Sequence, residues 1–172
     1  MTMSVEELDA LPAEEAADLF RSCCGASAWV SAMVAQRPFK SANALLAAAD
    51  DVWINAHSKD WKEAFDYHPR IGESSAAAQQ TDRAREMSVS EQALARLASS
   101  NVHDQMSLVN LAYERKFGFI YVVSAAGKDA RELLDIARKR LKNDPETELR
   151  VAAEEQRMIT RLRLQKLLGV AT

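Results

Sequence analysis

Phe119-Ile120-Tyr121-Val122-Val123 decides the fold class of this chain. It is the one stretch dense enough in aromatic and β-branched residues to read as a strand. No second stretch of that kind is available to pair with it, and a strand without a partner makes no sheet. The chain is therefore predicted to be all-α: a single-domain compact bundle of about eight helices over residues 1–172, with one short extended segment near 119–124. Each backbone N–H and C=O of that segment needs a partner if buried. Two readings follow. Side chains and water satisfy an irregular connector, or a bound molecule rich in amide groups supplies some of the partners.

Working outward, Gly118 breaks the segment from a helix upstream. Ser88 and Glu91 have the spacing of a capping box, so a long helix is expected from there to Phe117, with Leu94, Leu97, Ala98, Leu108, Leu111 and Ala112 as core candidates. Downstream, a helix after Gly127 carries Ala130, Leu133, Leu134, Ala137 and Leu141 on one face. Asn143-Asp144-Pro145 is a turn into the last helix, which runs to Gly169. Glu146, Glu148, Glu154 and Glu155 lie early in that helix and Arg161, Arg163 and Lys166 late, in the sense the helix dipole favours.

The first half of the chain reads the same way. Ser4-Val5-Glu6-Glu7 is a capping box, Pro12 suits a first helical turn, and that second helix ends near Gly25. Ser27-Ala28-Trp29 opens a helix closed by Arg37-Pro38-Phe39, and Ser41 caps the next, whose face is Leu45, Ala49, Val52, Trp53 and Ala56. His57-Ser58 is a break before a helix over Lys59–Tyr67. Residues 74–86, rich in Ala and Gln, are predicted helical.

Composition narrows the function classes. Apolar residues make up 48% and charged residues 27% of 172 residues, a soluble globular balance. The formal net charge is −3 with no basic block, which argues against a nucleic-acid surface. No apolar run approaches the ~20 residues needed to cross a bilayer, and the first residues are acidic where a secretory leader is basic. Cys23 and Cys24 are adjacent, so they are expected as reduced thiols of a cytoplasmic protein, as core filling or as reactive groups. His57, His68 and His103 share no ligand spacing and no Cys/His cluster exists, so no metal site is expected. Phosphate-loop, dinucleotide and Gly-x-Ser-x-Gly signatures are missing.

Two places break the helical logic and are candidate functional sites. In His68-Pro69-Arg70-Ile71-Gly72-Glu73, proline forces His68 out of helical geometry and Gly72 permits a turn. The imidazole stands at a helix end, either as punctuation or as a catalytic group. On the last helix, Arg163 falls inside the apolar stripe of Leu149, Ala152, Ala153, Ile159 and Leu167, while Arg150, Arg157 and Arg161 fall on the opposite, solvated side. An inward arginine needs a structural carboxylate or an anionic ligand. His103, beside Asp104, is expected at the surface.

Taken together, Ser27-Ala28-Trp29, Arg37-Pro38-Phe39, His68-Pro69-Arg70-Ile71-Gly72, Ser88 with Glu91-Gln92, Asn110 with Tyr113, Phe117-Gly118-Phe119, Arg140-Leu141-Lys142-Asn143 and Ile159 with Arg163-Leu164 resemble the 2-oxo-4-hydroxy-4-carboxy-5-ureidoimidazoline (OHCU) decarboxylases. The matching pieces keep order and spacing over about 140 residues. One departure is Ala28, where the family has proline. The resemblance implies an all-helical homodimer that decarboxylates its ureidoimidazoline substrate to (S)-allantoin in urate breakdown, with no cofactor. It implies His68, Glu91 and Arg163 as catalytic residues. It implies Pro69, the segment Ser88, Val89, Ser90, Glu91 and Gln92, and the run Ile120, Tyr121, Val122, Val123, Ser124 and Ala125 as substrate-binding. The competing reading is a helical module that binds a small ligand or a partner helix without catalysis.

Overall fold

In the computed structural model, residues 2–73 and 80–171 are described, and they form nine α-helices, one 3-10 turn and no strand. The all-α expectation holds, and the predicted helix over 74–86 lies partly outside the described residues. The chain divides into two compact units, Met1–Ala64 with Arg157–Thr172 and Phe65–Gln156. Among the described residues no helix is long and apolar enough to cross a membrane.

The first unit contains α1 (Val5–Ala10), α2 (Ala13–Cys23), α3 (Ser27–Ala35), α4 (Ala42–Ile54), most of α5 (Ser58–Phe65) and the C-terminal half of α9 (Pro145–Leu168). The Ser4–Glu7 capping box forms in both directions, at 2.7 and 3.1 Å. Pro12 stands at the N-cap of α2, one residue before the predicted turn. Ser41 accepts the Ala44 N–H at 3.1 Å and starts α4. Phe20 meets Trp29 edge-on at 5.9 Å, and the Trp29 indole N–H donates to the Ala49 carbonyl at 3.1 Å. Such pairing removes the cost of burying a tryptophan's one polar atom. Arg157 and Arg161 are not simply solvated. Both reach Asp50, at 3.0 and 2.8 Å, because α4 presents a carboxylate to that side of α9.

The second unit contains the end of α5, α6 (Asp82–Glu91), a 3-10 turn (Ala95–Leu97), α7 (Ser100–Phe117), a run without helix or strand, α8 (Ala130–Arg140) and the N-terminal half of α9. The predicted helix from Ser88 to Phe117 does not form. Thr81 caps α6 by accepting from Ala84 N–H at 3.1 Å, and α6 stops at Glu91. Ser88 therefore lies in the last turn of a helix, where its hydroxyl accepts from Gln80 and cannot serve as an N-cap. With α7 restarting at Ser100, its inward face is Val102, Met106, Asn110, Tyr113 and Phe117. The sequence-based core set moves outside: Leu97 is 81% exposed and Leu108 67%, and Leu94, Leu111 and Ala112 are exposed with them. Gly118, at φ 77°, ends α7 in the left-handed region that glycine tolerates. The chain then runs without helix or strand through an aromatic cluster, in which the Tyr113 ring lies 4.6 Å from Phe117, 5.9 Å from Phe119 and 5.4 Å from Tyr121.

Candidate active site

His68 stands three residues past the end of α5, and its N–H closes the helix on the Phe65 carbonyl at 3.0 Å. Pro69 is buried and cannot continue the helix. At Gly72 the chain turns with φ 83°, and a side chain there would meet His103 Nδ1 and Met106 Cγ at 3.6 Å. His103 is thus half-buried beside the turn. Side chains from α6, α7 and α9 hold the loop. His68 Nε2 lies 2.6 Å from Gln156 Oε1. Asn110 Nδ2 donates to the Ile71 carbonyl at 3.0 Å, and Gly72 N–H donates to Gln92 Oε1 at 3.3 Å. Arg70 forks onto Glu114 at 2.5 and 2.9 Å. Exposed pairs of this kind contribute at most about 1 kcal/mol, so Arg70 matters for loop geometry more than for stability.

The segment 88–92 divides. Ser88 and Gln92 are buried, Glu91 is half-buried, and Val89 and Ser90 face solvent. Ser88 accepts from Gln80 Nε2 at 2.8 Å. Gln92, at the C-cap of α6, is the residue that joins this segment to the His68 loop. Because the segment ends a helix, it presents carbonyl groups and the negative end of the dipole. That end suits N–H donors of a ligand, whereas the helix start expected from sequence would have suited a carboxylate. Two buried amide oxygens, Gln80 Oε1 and Asn110 Oδ1, have no partner among the described residues. Their own amide nitrogens bind Ser88 and the Ile71 carbonyl, so both sit against the two segments just described.

The run 120–125 belongs to neither helix nor strand and is buried from Tyr121 to Ala125. Its backbone is held mostly by side chains. Arg140 Nη1 donates to the Val122 carbonyl at 2.8 Å, Ser124 N–H donates to Glu155 at 2.7 Å, and Lys128 Nζ donates to the Ser124 carbonyl at 2.7 Å. Arg140 lies 5.0 Å from the Tyr121 ring centre and pairs with Glu148 at 2.6 Å. Glu148 also accepts from Tyr113 and, at 2.8 Å, from Asn143. Burial pulls the Arg140 pKa down, but Tyr113, Glu148 and Tyr121 outweigh it, so the guanidinium keeps its charge. Burial pushes the Tyr113 and Tyr121 hydroxyls well above the ordinary tyrosine range, and both stay protonated donors.

Arg163 belongs to the first unit and is buried, as its place in the stripe of α9 predicts. Its Nη1 donates to the Ser22 carbonyl at 3.3 Å. Close by, burial pushes the Cys24 thiol up to about 12, which marks it as an inert core group. Both cysteines are free and buried. Among the described residues no three His, Cys, Asp or Glu side chains gather as metal ligands.

The sequence reading gives Gln156 no role, and it names Arg140 only within a matching piece and Glu148 only as a helix-dipole residue. The signal for Gln156 was the same as for Arg163, a polar residue inside the stripe, three residues before Ile159 and three after Ala153. Arg140 lies three residues after Ala137, on the buried face of α8. Glu148 was assigned to the helix dipole, yet it is fully buried.

The OHCU decarboxylase family model matches residues 9–165. A uric acid degradation bifunctional protein of Arabidopsis thaliana is 38% identical over 152 residues, covering 87% of this chain and 46% of that protein. A similar protein of Bacillus is 28% identical, and 32% of its length is covered. This chain thus spans half or less of these two relatives. A solved OHCU decarboxylase, crystallised in the presence of (S)-allantoin, superposes with a TM-score of 0.77 at 33% identity, covering 88% of this chain and 98% of that one. A match over nearly the whole length, by sequence and by fold, places the chain in the OHCU decarboxylase family.

Proposed function

We propose that this protein decarboxylates 2-oxo-4-hydroxy-4-carboxy-5-ureidoimidazoline to (S)-allantoin in urate breakdown, without a cofactor, and that His68 is its general acid/base. The observation that carries this reading is the His68 loop: a half-buried imidazole at a helix end, whose ring meets the buried Gln156 amide and whose following backbone is bound by the buried Asn110 amide. Imidazole is suited to the task because it titrates near neutrality, with an ordinary pKa of about 6.5.

The chemistry needs little from a cofactor. As the bond to the carboxylate breaks, its electron pair enters the ring beside an imine-like C=N bond, and carbon dioxide leaves. The imine nitrogen takes the displaced pair and a proton. Loss of the hydroxyl proton and protonation of the ureido-bearing carbon then complete the keto product. One group that accepts the hydroxyl proton and returns it to one face of the carbon sets the chirality, and His68 has that role here. Glu91 orients or balances charge on the imidazole, or binds the ureido group. Arg163 holds the carboxylate or a ring oxygen, as an orienting contact.

Recognition of the substrate falls to Pro69, to Ser88, Val89, Ser90, Glu91 and Gln92, and to the run from Ile120 to Ala125. A ureide offers several N–H donors. The carbonyl end of α6 and the buried amide oxygens of Gln80 and Asn110 are the complementary acceptors. The working unit in this reading is a cytoplasmic homodimer, for which Leu108 and Leu111 on α7 offer exposed apolar surface.

A coupled assay tests the function. Substrate is generated from urate in situ, and carbon dioxide release is followed with the parent chain and with His68→Gln. Release above the spontaneous rate, lost in His68→Gln, is the expected result. If a ureide analogue that lacks the carboxylate binds tightly while carbon dioxide release from substrate stays at the spontaneous rate, the chain is a binding module.

A further inference from the structure

Gln156 is fully buried in the middle of α9, and its side-chain oxygen lies 2.6 Å from His68 Nε2. A carbonyl oxygen has no proton to give, so at this distance the proton of a neutral imidazole sits on Nε2 and is donated to Gln156. The other nitrogen, Nδ1, then carries the lone pair. We propose that Gln156 is the positioning residue for His68: it holds the ring as the Nε2–H tautomer, so that Nδ1 is the atom that takes and returns the substrate proton. The role of that proton rests on the decarboxylase reading above; the tautomer does not.

The assignment has a mechanical consequence. When Nδ1 accepts the hydroxyl proton the ring becomes cationic, and Nε2–H stays bound to Gln156 throughout. When Nδ1 gives its proton to carbon, the neutral Nε2–H form returns with no ring flip or tautomer exchange between turnovers. A glutamine serves both stages, because its carbonyl accepts from the neutral and the cationic ring alike. The loop reinforces this geometry. The Ile71 carbonyl is bound by Asn110 and Gly72 N–H by Gln92, so the backbone that carries His68 is fixed independently of the ring.

The test is histidine-selective 15N NMR of the full chain, above the pH at which the ring is neutral. His68 signals are assigned by their loss in His68→Gln. In the parent chain, a pyrrole-like Nε2 and a pyridine-like Nδ1 are expected. A pyrrole-like Nδ1, or two averaged nitrogens, overturns the proposal whatever the assay says about turnover. Two variants link tautomer to rate. Gln156→Glu keeps an acceptor oxygen and should keep the Nε2–H signature. Gln156→Met removes the acceptor, so the ring should become a tautomer mixture and kcat should fall roughly tenfold or more, with KM little changed, as when a catalytic histidine loses its orienting partner. Unchanged ring nitrogens and kcat in Gln156→Met would make Gln156 a packing residue only. Should Gln156→Met fail to fold, the parent spectrum and Gln156→Glu still decide.

Discussion

Replacing Glu148 by Gln tests the assembly that holds the run 120–125. Glu148 is 0% exposed and its partner Arg140 is 6% exposed, so the pair is removed from water on both sides. The carboxylate accepts from Arg140 Nε at 2.7 Å, from Arg140 Nη2 at 2.6 Å, from Tyr113 and from Asn143. An amide keeps the volume but removes the charge, and it offers one acceptor atom where the carboxylate has two. Breaking a buried ion pair by removing one partner costs about 3–5 kcal/mol, because the remaining charge is stranded. With a urea slope on the order of 2 kcal/mol per molar, the midpoint should fall by roughly 2 M. For a chain of this size Tm should fall by roughly 6–20 °C. Urea titrations followed by far-ultraviolet circular dichroism measure this, with the slope checked for constancy. The double variant Arg140→Met with Glu148→Leu removes both charges and should recover most of the stability. It should nonetheless turn over poorly, because the Val122 carbonyl has lost its Arg140 donor. A loss below about 1 kcal/mol in Glu148→Gln, or a double variant as unstable as the single, would refute the argument.

Other outcomes follow from the same structure. His68→Gln should fold normally and lose about 10²–10⁴-fold in kcat, measured in the coupled assay. Leu97→Ala should change stability by less than about 0.5 kcal/mol in urea titrations, whereas a core leucine such as Leu133 should cost about 2–5 kcal/mol. Cys24 keeps its proton to about pH 12 in the folded chain, while the unfolded thiol loses it near 9. The unfolded state therefore binds fewer protons above pH 9, and stability falls as pH rises. Cys24→Ala should flatten that alkaline decline in urea midpoints taken across pH 8–11, relative to the parent. Gln92→Leu should raise KM more than it lowers stability, because it removes the bond from Gly72 N–H and a polar group of the segment proposed to bind substrate.

Much of the fold was legible because local signals were unambiguous. The Ser4–Glu7 box, the Ser41 cap, Gly118 and Pro145 all act within one turn of the residues they organise. The unpaired run at 119–123 correctly ruled out a sheet. The failure at 88–99 also has a local cause. Ser88 and Glu91 fit a capping box, but Thr81 competes as an N-cap upstream, and the Ser88 hydroxyl is taken by Gln80. That one error reversed the polarity of the 88–92 segment and put four leucines on the wrong face. Among the candidate residues, Arg163 was legible as an inward charge, whereas the burial of Arg140 and Glu148 in the second unit was not. Their pairing joins α8 to α9 across the Leu141–Asp144 turn, and no spacing rule within a single helix reports it.

The chirality of the product tests the central claim most directly. Substrate is generated from urate in the polarimetric or circular dichroism cell, and allantoin formation is followed with and without the protein. The decarboxylase reading predicts rapid appearance of (S)-allantoin in excess over its mirror image. Racemic allantoin formed at the spontaneous rate, from a protein that is folded by circular dichroism, would contradict it.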